Sequence, residues 1–139
     1  MKMYTSRFNY KISANDYVGV GIAVGKPRWK PKYECEHYSP LAPWGLFKKY
    51  TGDEFKERYI LQLEKLGTTF IRKDLQDISN RHGGKDVVLL CWEDLSKGLT
   101  CHRRYFAEWW EKLTGEKIDE LEEVLHSKKE PVYVTGTLF

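Results

Sequence analysis

Apolar and polar positions along the chain change their spacing several times, and each change predicts a strand or a helix. Residues 2–8 alternate and predict a short first strand. Residues 17–24 form a β-branched run interrupted by Gly19 and Gly21, which is typical of a buried strand or of a strand with a bulge. Residues 87–92 are continuously apolar and predict a central parallel strand buried on both faces.

Four stretches carry apolar residues every three or four positions and predict amphipathic helices, at about 53–66, 70–82, 101–113 and 117–126. The residues expected to face the core are Phe55, Tyr59, Leu63, Leu66, Phe70, Ile71, Leu75, Ile78, His102, Phe106, Trp109, Trp110, Leu113, Ile118, Leu121, Val124 and Leu125. The alternating residues 131–135 predict an edge strand.

Strands separated by helices predict an α/β fold. We expect residues 1–139 to form a single three-layer domain in which a mostly parallel sheet is flanked by helices. Ligands of such sheets bind at the carboxyl ends of the strands. The loops that follow the three predicted strands are therefore expected to carry the function.

Composition excludes two classes of protein. Apolar residues make up 41% and aromatic residues 14% of the 139, which is too many for a disordered chain. No apolar run approaches the ~20 residues that a membrane span needs. Residues 1–11 lack the apolar run of a signal peptide. Together with a count of three cysteines, this predicts a cytoplasmic protein with reduced thiols.

Charge is unevenly distributed. The first 50 residues hold nine Lys or Arg and three Asp or Glu, whereas the rest hold fourteen and seventeen. Residues 25–32 form a Pro-punctuated loop in which Lys26 and Arg28 accompany Trp29. Basic and aromatic residues in one loop suit a nucleic acid or a nucleotide, and they equally suit a loop pinned to the core by its aromatic side chains.

Glycine spacing around the second strand superficially resembles a phosphate-binding loop. Gly19, Gly21 and Gly25 are followed by prolines rather than by a helix. Because the dinucleotide fingerprint needs strand, turn and helix in that order, we reject it and expect no cofactor.

The segment from Cys91 to Arg104 has the densest candidate chemistry. The predicted strand delivers Cys91 and Glu93 to the carboxyl edge of the sheet, and the next helix begins with His102, Arg103 and Arg104. Three basic side chains in a first turn oppose the helix dipole, so an anion should compensate them. That anion is either a bound ligand or the carboxylates of Glu93 and Asp94.

Other candidate residues complete this edge. Ser6 and Arg7 follow the first strand and suit a phosphate or a carboxylate. Cys101, at a helix start beside cations, suits a thiolate nucleophile, and Glu93 or His102 suits a general acid or base.

The cysteines admit further interpretations. Cys91 and Cys101, with Cys35, His37 or His102, could bind zinc, although the spacing matches no standard finger, so we predict no metal. Cys91 and Cys101 could equally be buried and inert. A disulfide between them is geometrically feasible, but a cytoplasmic location disfavours it.

These motifs resemble a known family. A strand ending Leu-Leu-Cys-Trp-Glu, a loop, and Cys-His-Arg-Arg opening a helix that continues Tyr-Phe-Ala-Glu-Trp-Trp are similar to the domain of unknown function 488 family. Tyr-Thr-Ser-Arg-Phe at 4–8 and Leu-Ala-Pro at 41–43, with Phe55 and Tyr59, extend the resemblance over about 1–113. It implies an α/β domain with a site at Cys91, Glu93, Cys101, His102 and Arg103, and it supplies no reaction.

The residues and the resemblance together predict a protein that binds an anionic ligand, either a nucleotide or a nucleic acid, and no membrane. The ligand would contact Ser6, Arg7, Cys91, Arg103, Arg104, Lys26 and Arg28. Any catalysis would use Cys101, His102 and Glu93. The alternative is a non-catalytic interaction module in which the same residues form a structural network.

Overall fold

A computed structural model describes residues 1–24, 33–46, 49–92 and 102–126. One sheet contains the five described strands, which are β1 (Met3–Arg7), β2 (Tyr17–Gly21), β3 (Cys35–His37), β4 (Asp86–Cys91) and β5 (Asp119–Glu120). The long helices are α1 (Gly52–Leu66), α2 (Thr68–Arg81) and α3 (His102–Thr114). A 3-10 turn spans Ser39–Leu41, and residues 121–126 are helical.

The strands lie in the order β3-β2-β4-β1-β5, and every pairing between them is parallel. β4 lies at the centre because its run of Val and Leu is buried on both faces. Its partners are in register from Met3 opposite Val87 on β1 and from Tyr17 opposite Asp86 on β2. The predicted α/β fold with a parallel sheet is therefore confirmed.

All three long helices cover one face of the sheet. Alternate residues of β4, Val87 and Leu89, point into this face and pack in one cluster with buried residues of α1, α2 and α3. Tyr59, Leu75 and Trp110 represent the three helices in that cluster, each fully buried. This layer is the larger core of the protein.

The opposite face has a thinner cover. Val88 and Leu90 point into it and pack with Phe8 and Ile12 from the segment after β1 and with Leu121 from the helical residues 121–126. No helix among the described residues is long and apolar enough to cross a membrane.

Several predicted positions differ in the structure. Phe70 and Leu113 were expected to face the core, but they are 49% and 56% exposed. Ile71, Leu75 and Ile78 form the buried stripe of α2, and Phe70 lies about 100° away from Ile71 around that helix.

The prediction of one helix over 117–126 is wrong in its first part. Asp119 and Glu120 pair with Tyr4 and Thr5 on β1, and the helical residues begin at 121. The edge of a sheet offers hydrogen bonds that helical periodicity does not reveal. β3 was also missed, and the predicted strand at 131–135 lies outside the described residues.

Gly19 allows a close approach on the thinner face. A Cβ atom there would lie 2.8 Å from Tyr33 Cε1 and 2.8 Å from Leu90 Cδ1. At Gly21 a Cβ atom would lie 3.2 Å from Phe8 Cζ. The two glycines therefore make room for aromatic side chains, not for a phosphate.

Candidate functional site

The sheet reverses its direction of connection beside β4. The chain leaves β2 toward β3 on one side, and it leaves β4 toward β5 on the other. In open parallel sheets, a crevice forms at the carboxyl ends of two such strands, and ligands bind in it. The candidate site is therefore the edge where β2, β4 and β1 end.

His102 hydrogen-bonds to the backbone directly after β2. Its Nε2 lies 2.6 Å from the carbonyl oxygen of Ile22, so Nε2 carries the proton and donates it. The imidazole packs edge-on against Tyr59, with ring centroids 5.4 Å apart. The Tyr59 hydroxyl donates to the carbonyl oxygen of Leu41 at 2.6 Å.

Burial makes His102 a poor acid or base. Its pKa is lowered to about 4, mainly by loss of solvent and also by the neighbouring Arg103 charge, although the hydrogen bond to Ile22 acts to raise it. The imidazole is therefore neutral at pH 7. Since effective proton transfer needs a pKa near the working pH, this geometry favours a hydrogen-bonding role for His102 over the predicted catalytic one.

Arg103 lies at the centre of a group that we call the carboxyl-edge network, formed by Arg103, Glu120, Thr5 and Cys91. Its Nε donates to Glu120 Oε1 at 3.0 Å and its Nη2 donates to Oε2 at 2.8 Å. Nη1 lies 3.0 Å from Cys91 Sγ, and the Thr5 hydroxyl donates to Glu120 Oε1 at 2.8 Å. The side chains of Arg103 and Glu120 are 0% and 4% exposed.

The network ties α3 and β5 to the centre of the sheet. Arg103 compensates an internal carboxylate, as the structural alternative predicted, and among the described residues this carboxylate is Glu120 of β5. The predicted partners Glu93 and Asp94 lie outside the described residues. A bidentate, fully buried guanidinium has no surface to offer to a ligand. The structure thus assigns Arg103 to cohesion of the fold and not to the predicted ligand contact.

Arg7, at the end of β1, is the better exposed cation of this edge. Its Nε and Nη2 donate to Glu122 Oε1 and Oε2 at 3.1 and 3.4 Å. The two side chains are 26% and 21% exposed. Ser6 does not share this surface, because it is fully buried and its hydroxyl has no hydrogen-bond partner within the described structure.

Arg104 is exposed, but its surroundings are acidic. It lines a cleft of about 170 Å³ between α3 and residues 117–123. Lys117 is the other basic residue there, and the acidic residues of the cleft are Glu108, Glu111, Asp119, Glu120 and Glu123. The predicted anion contact of Arg104 therefore has little electrostatic support.

The cysteines differ from one another. Cys91 is disulfide-bonded, so the prediction of reduced thiols is wrong at this position. A disulfide depends on the distance between two Cα atoms, which only the tertiary structure sets. Cys35 is a free thiol whose pKa is raised, mainly by burial. Within the described ranges, no three His, Cys, Asp or Glu side chains converge as metal ligands.

Four predicted site residues, Lys26, Arg28, Glu93 and Cys101, lie outside the described residues. Conversely, sequence reasoning missed Thr5, Glu120 and Glu122. Glu120 and Glu122 fall in the stretch 117–126, which was interpreted as a helix. The basic charge of Arg103 in the first turn of its helix was a signal that some anion, either a ligand or an internal carboxylate, compensates it.

A second charged group lies between edge strand β3 and the end of α2. We call Glu34, Glu36, Arg81, His82 and Lys85 the β3 surface cluster. His82 Nδ1 lies 2.6 Å from Glu34 Oε2, and its Nε2 lies 2.7 Å from Glu36 Oε2. Arg81 donates to both oxygens of Glu36 at 3.2 and 2.7 Å, and Lys85 donates to Glu34 at 3.2 Å.

Two carboxylates favour the charged imidazole of His82. Burial alone would lower the pKa of His82, but the hydrogen bonds with Glu36 and Glu34 outweigh it and raise the pKa above 6.5. The pKa of Glu36 is lowered, first by Arg81, and that of Glu34 is lowered, first by His82.

Comparison of the chain with protein-family models, with curated proteins and with solved structures finds no match. The resemblance to the domain of unknown function 488 family stays a prediction.

Proposed function

We propose that the protein binds a small anionic ligand, a nucleotide or a nucleic-acid phosphate, at the carboxyl edge of β1, β2 and β4. The observation that carries the proposal is Arg7, a partly exposed arginine at the end of β1, beside the point where the sheet connections reverse. Unlike Arg103, its side chain is partly exposed, so a ligand can reach the guanidinium.

The partner of Arg7 is exchangeable. A surface ion pair such as Arg7 with Glu122 contributes only ~0.2–1 kcal/mol. A phosphate can accept the same two parallel hydrogen bonds from Nε and Nη2, with more charge than a carboxylate. Glu122 would then take the place of the phosphate and keep the Arg7 guanidinium oriented when no ligand is bound.

The resemblance of Cys91 and of 101–103 to the domain of unknown function 488 family supports the same edge as the site, since its described residues Cys91 and Arg103 are in contact there. Lys26 and Arg28 would extend the basic surface toward a longer ligand. A role for Cys101 or Glu93 in catalysis stays a prediction from the sequence.

A second function is favoured by the carboxyl-edge network. In a non-catalytic interaction module, the fully paired and buried Arg103 and Glu120 would have a structural role only. The basic loop predicted at 25–32 would then dock a partner. This candidate predicts that no phosphate binds at Arg7.

Titration calorimetry with pyrophosphate tests the first proposal. Arg7→Ala should weaken binding by about tenfold or more, because charge-assisted hydrogen bonds contribute ~1.5–3 kcal/mol. Glu122→Gln should bind at least as tightly as the wild type, since it removes the competing carboxylate.

Arg81→Ala is the matched control, because Arg81 pairs with Glu36 in the same bidentate geometry at another part of the sheet. It should leave the affinity unchanged. Equal losses in the two arginine variants, or no binding by the wild type, would contradict the anion site and favour the interaction module.

A further inference from the structure

Trp92 is an exposed aromatic residue at the same edge of the sheet. It directly follows the last residue of β4 and is 40% exposed. Its ring centroid lies 4.6 Å from that of Phe8, with the planes tilted by 45°. Trp92 differs from the more exposed Trp44 in that its ring packs on a buried aromatic residue at the end of a central strand.

Phe8, which supports the indole ring of Trp92, is itself fixed in the core. Phe8 is only 2% exposed, and its backbone N–H donates to the carbonyl oxygen of Cys91 at 3.0 Å. The Tyr33 hydroxyl donates to the carbonyl oxygen of Phe8 at 3.2 Å. A Cβ atom at Gly21 would lie 3.2 Å from Phe8 Cζ, so the glycine on β2 leaves space for the phenyl ring.

Arg7 is next to this aromatic pair. It precedes Phe8 along the chain and lies opposite Cys91 in the sheet register, so Phe8 and Trp92 each follow directly after this last pair of residues. Tyr10 packs against the same cluster as Phe8, and its N–H donates to the carbonyl oxygen of Arg7 at 3.1 Å. The backbone of Arg7 therefore lies next to residues that pack with Phe8.

We propose that Trp92, supported by Phe8, is a stacking platform for the planar ring of a ligand whose phosphate pairs with Arg7. The site would take a nucleobase joined to a phosphate, in preference to a sugar phosphate or inorganic phosphate. This inference rests on the proposed anion site at Arg7. Stacking on an indole tolerates every base, so discrimination among bases should be weak.

The test compares adenosine 5′-monophosphate with ribose 5-phosphate, which has the phosphate but no base. The wild type should bind the nucleotide about tenfold or more tightly than the sugar phosphate, because base stacking contributes ~1–3 kcal/mol. Trp92→Ala should abolish that preference and leave the affinity for ribose 5-phosphate unchanged, whereas Trp92→Phe should keep part of it.

Trp44→Ala is the control, since Trp44 is 54% exposed and its indole N–H donates to the carbonyl oxygen of Ser39, away from β1 and β4. It should behave as the wild type. Circular dichroism of each variant verifies folding, and an exposed position makes Trp92→Ala a mild change.

The outcomes separate the two proposals. Equal affinity of the wild type for both ligands, or an unchanged preference in Trp92→Ala, overturns the platform and leaves the anion site standing. Failure of both ligands to bind overturns both. A short oligodeoxythymidylate distinguishes two ligands of the platform. Binding that is tighter than that of the mononucleotide and steeply salt-dependent would indicate a single-stranded nucleic acid. An affinity no higher than that of the mononucleotide would indicate a free nucleotide.

Discussion

The carboxyl-edge network and the β3 surface cluster use the same residue types in opposite surroundings. In the first, Arg103 and Glu120 are almost completely buried, and the adjacent His102 is neutral because burial lowers its pKa to about 4. In the second, the side chains of Arg81 and Glu36 are 56% and 28% exposed, and the pKa of His82 is raised between two carboxylates.

Exposure to solvent determines how much each ion pair contributes to the free energy of unfolding. Breaking a buried ion pair leaves a charge without water or partner, whereas a broken surface pair is rehydrated. Arg103 with Glu120 should therefore matter for the fold, and Arg81 with Glu36 should matter little. Arg7 with Glu122 is intermediate, since the two side chains are 26% and 21% exposed.

The largest expected effect is that of Glu120→Gln. It leaves the Arg103 guanidinium buried and uncompensated, so we expect the free energy of unfolding to fall by about 3–5 kcal/mol in urea titrations. Glu36→Gln is the surface control and should cost less than about 1 kcal/mol. Similar losses in the two variants would show that burial does not separate the groups.

The next effect is the acid sensitivity that His102 imposes. Its pKa is about 4 in the folded state against 6.5 when unfolded, so the unfolded chain binds the proton more tightly. The stability that the neutral His102 allows is fully present above pH 6.5. As the pH falls toward 4, the free energy of unfolding decreases by about 3 kcal/mol on this account.

In His102→Gln, that loss should be absent, because the glutamine does not titrate. Unfolding free energies at half-unit intervals between pH 4 and 7 measure it. Parallel curves for the wild type and the variant would mean that His102 is not buried in the neutral form.

A smaller effect of opposite sign comes from His82. Its raised pKa means that its stabilisation is fully present below pH 6.5 and is lost as the pH rises through the folded-state value. The lowered pKa values of Glu34 and Glu36 make their contribution present above 4.5 and lost at lower pH.

We therefore expect His82→Gln to be less stable than the wild type below pH 6.5, with a difference that shrinks toward pH 9. Thermal unfolding at each pH measures the difference. Growth of the difference with pH would reverse the assignment of His82 as an imidazolium.

The smallest expected effect is that of salt. At 1 M ionic strength the Debye length falls to ~3 Å, so exposed pairs are screened while buried ones are not. The cost of Glu36→Gln should diminish in 1 M NaCl, and that of Glu120→Gln should persist. Equal attenuation of both would place Glu120 in contact with solvent.

Much of the fold could be predicted from local pattern. The apolar run that ends at Cys91 could only be a buried central strand, and the spacing of Tyr59 and Leu63 or of Ile71, Leu75 and Ile78 assigned the buried faces of α1 and α2. These are properties of residues a few positions apart. β3, three residues with no apolar alternation, carries no such signal.

The candidate site was predictable only in its location. The carboxyl edge follows from strand order, and Arg7 from its place after β1. That Arg103 is an internal counter-ion could not be read from the sequence, because its partner Glu120 lies 17 residues away on another strand.

The order of apolar and polar residues, on its own, determines the α/β class, the central strand and the helical faces, since these depend on short-range periodicity and burial. Tertiary structure alone decides which of two similar arginines is buried with a glutamate and which reaches solvent, and it decides that His102 is neutral. Both outcomes depend on desolvation and on pairing between distant segments, which no local pattern encodes.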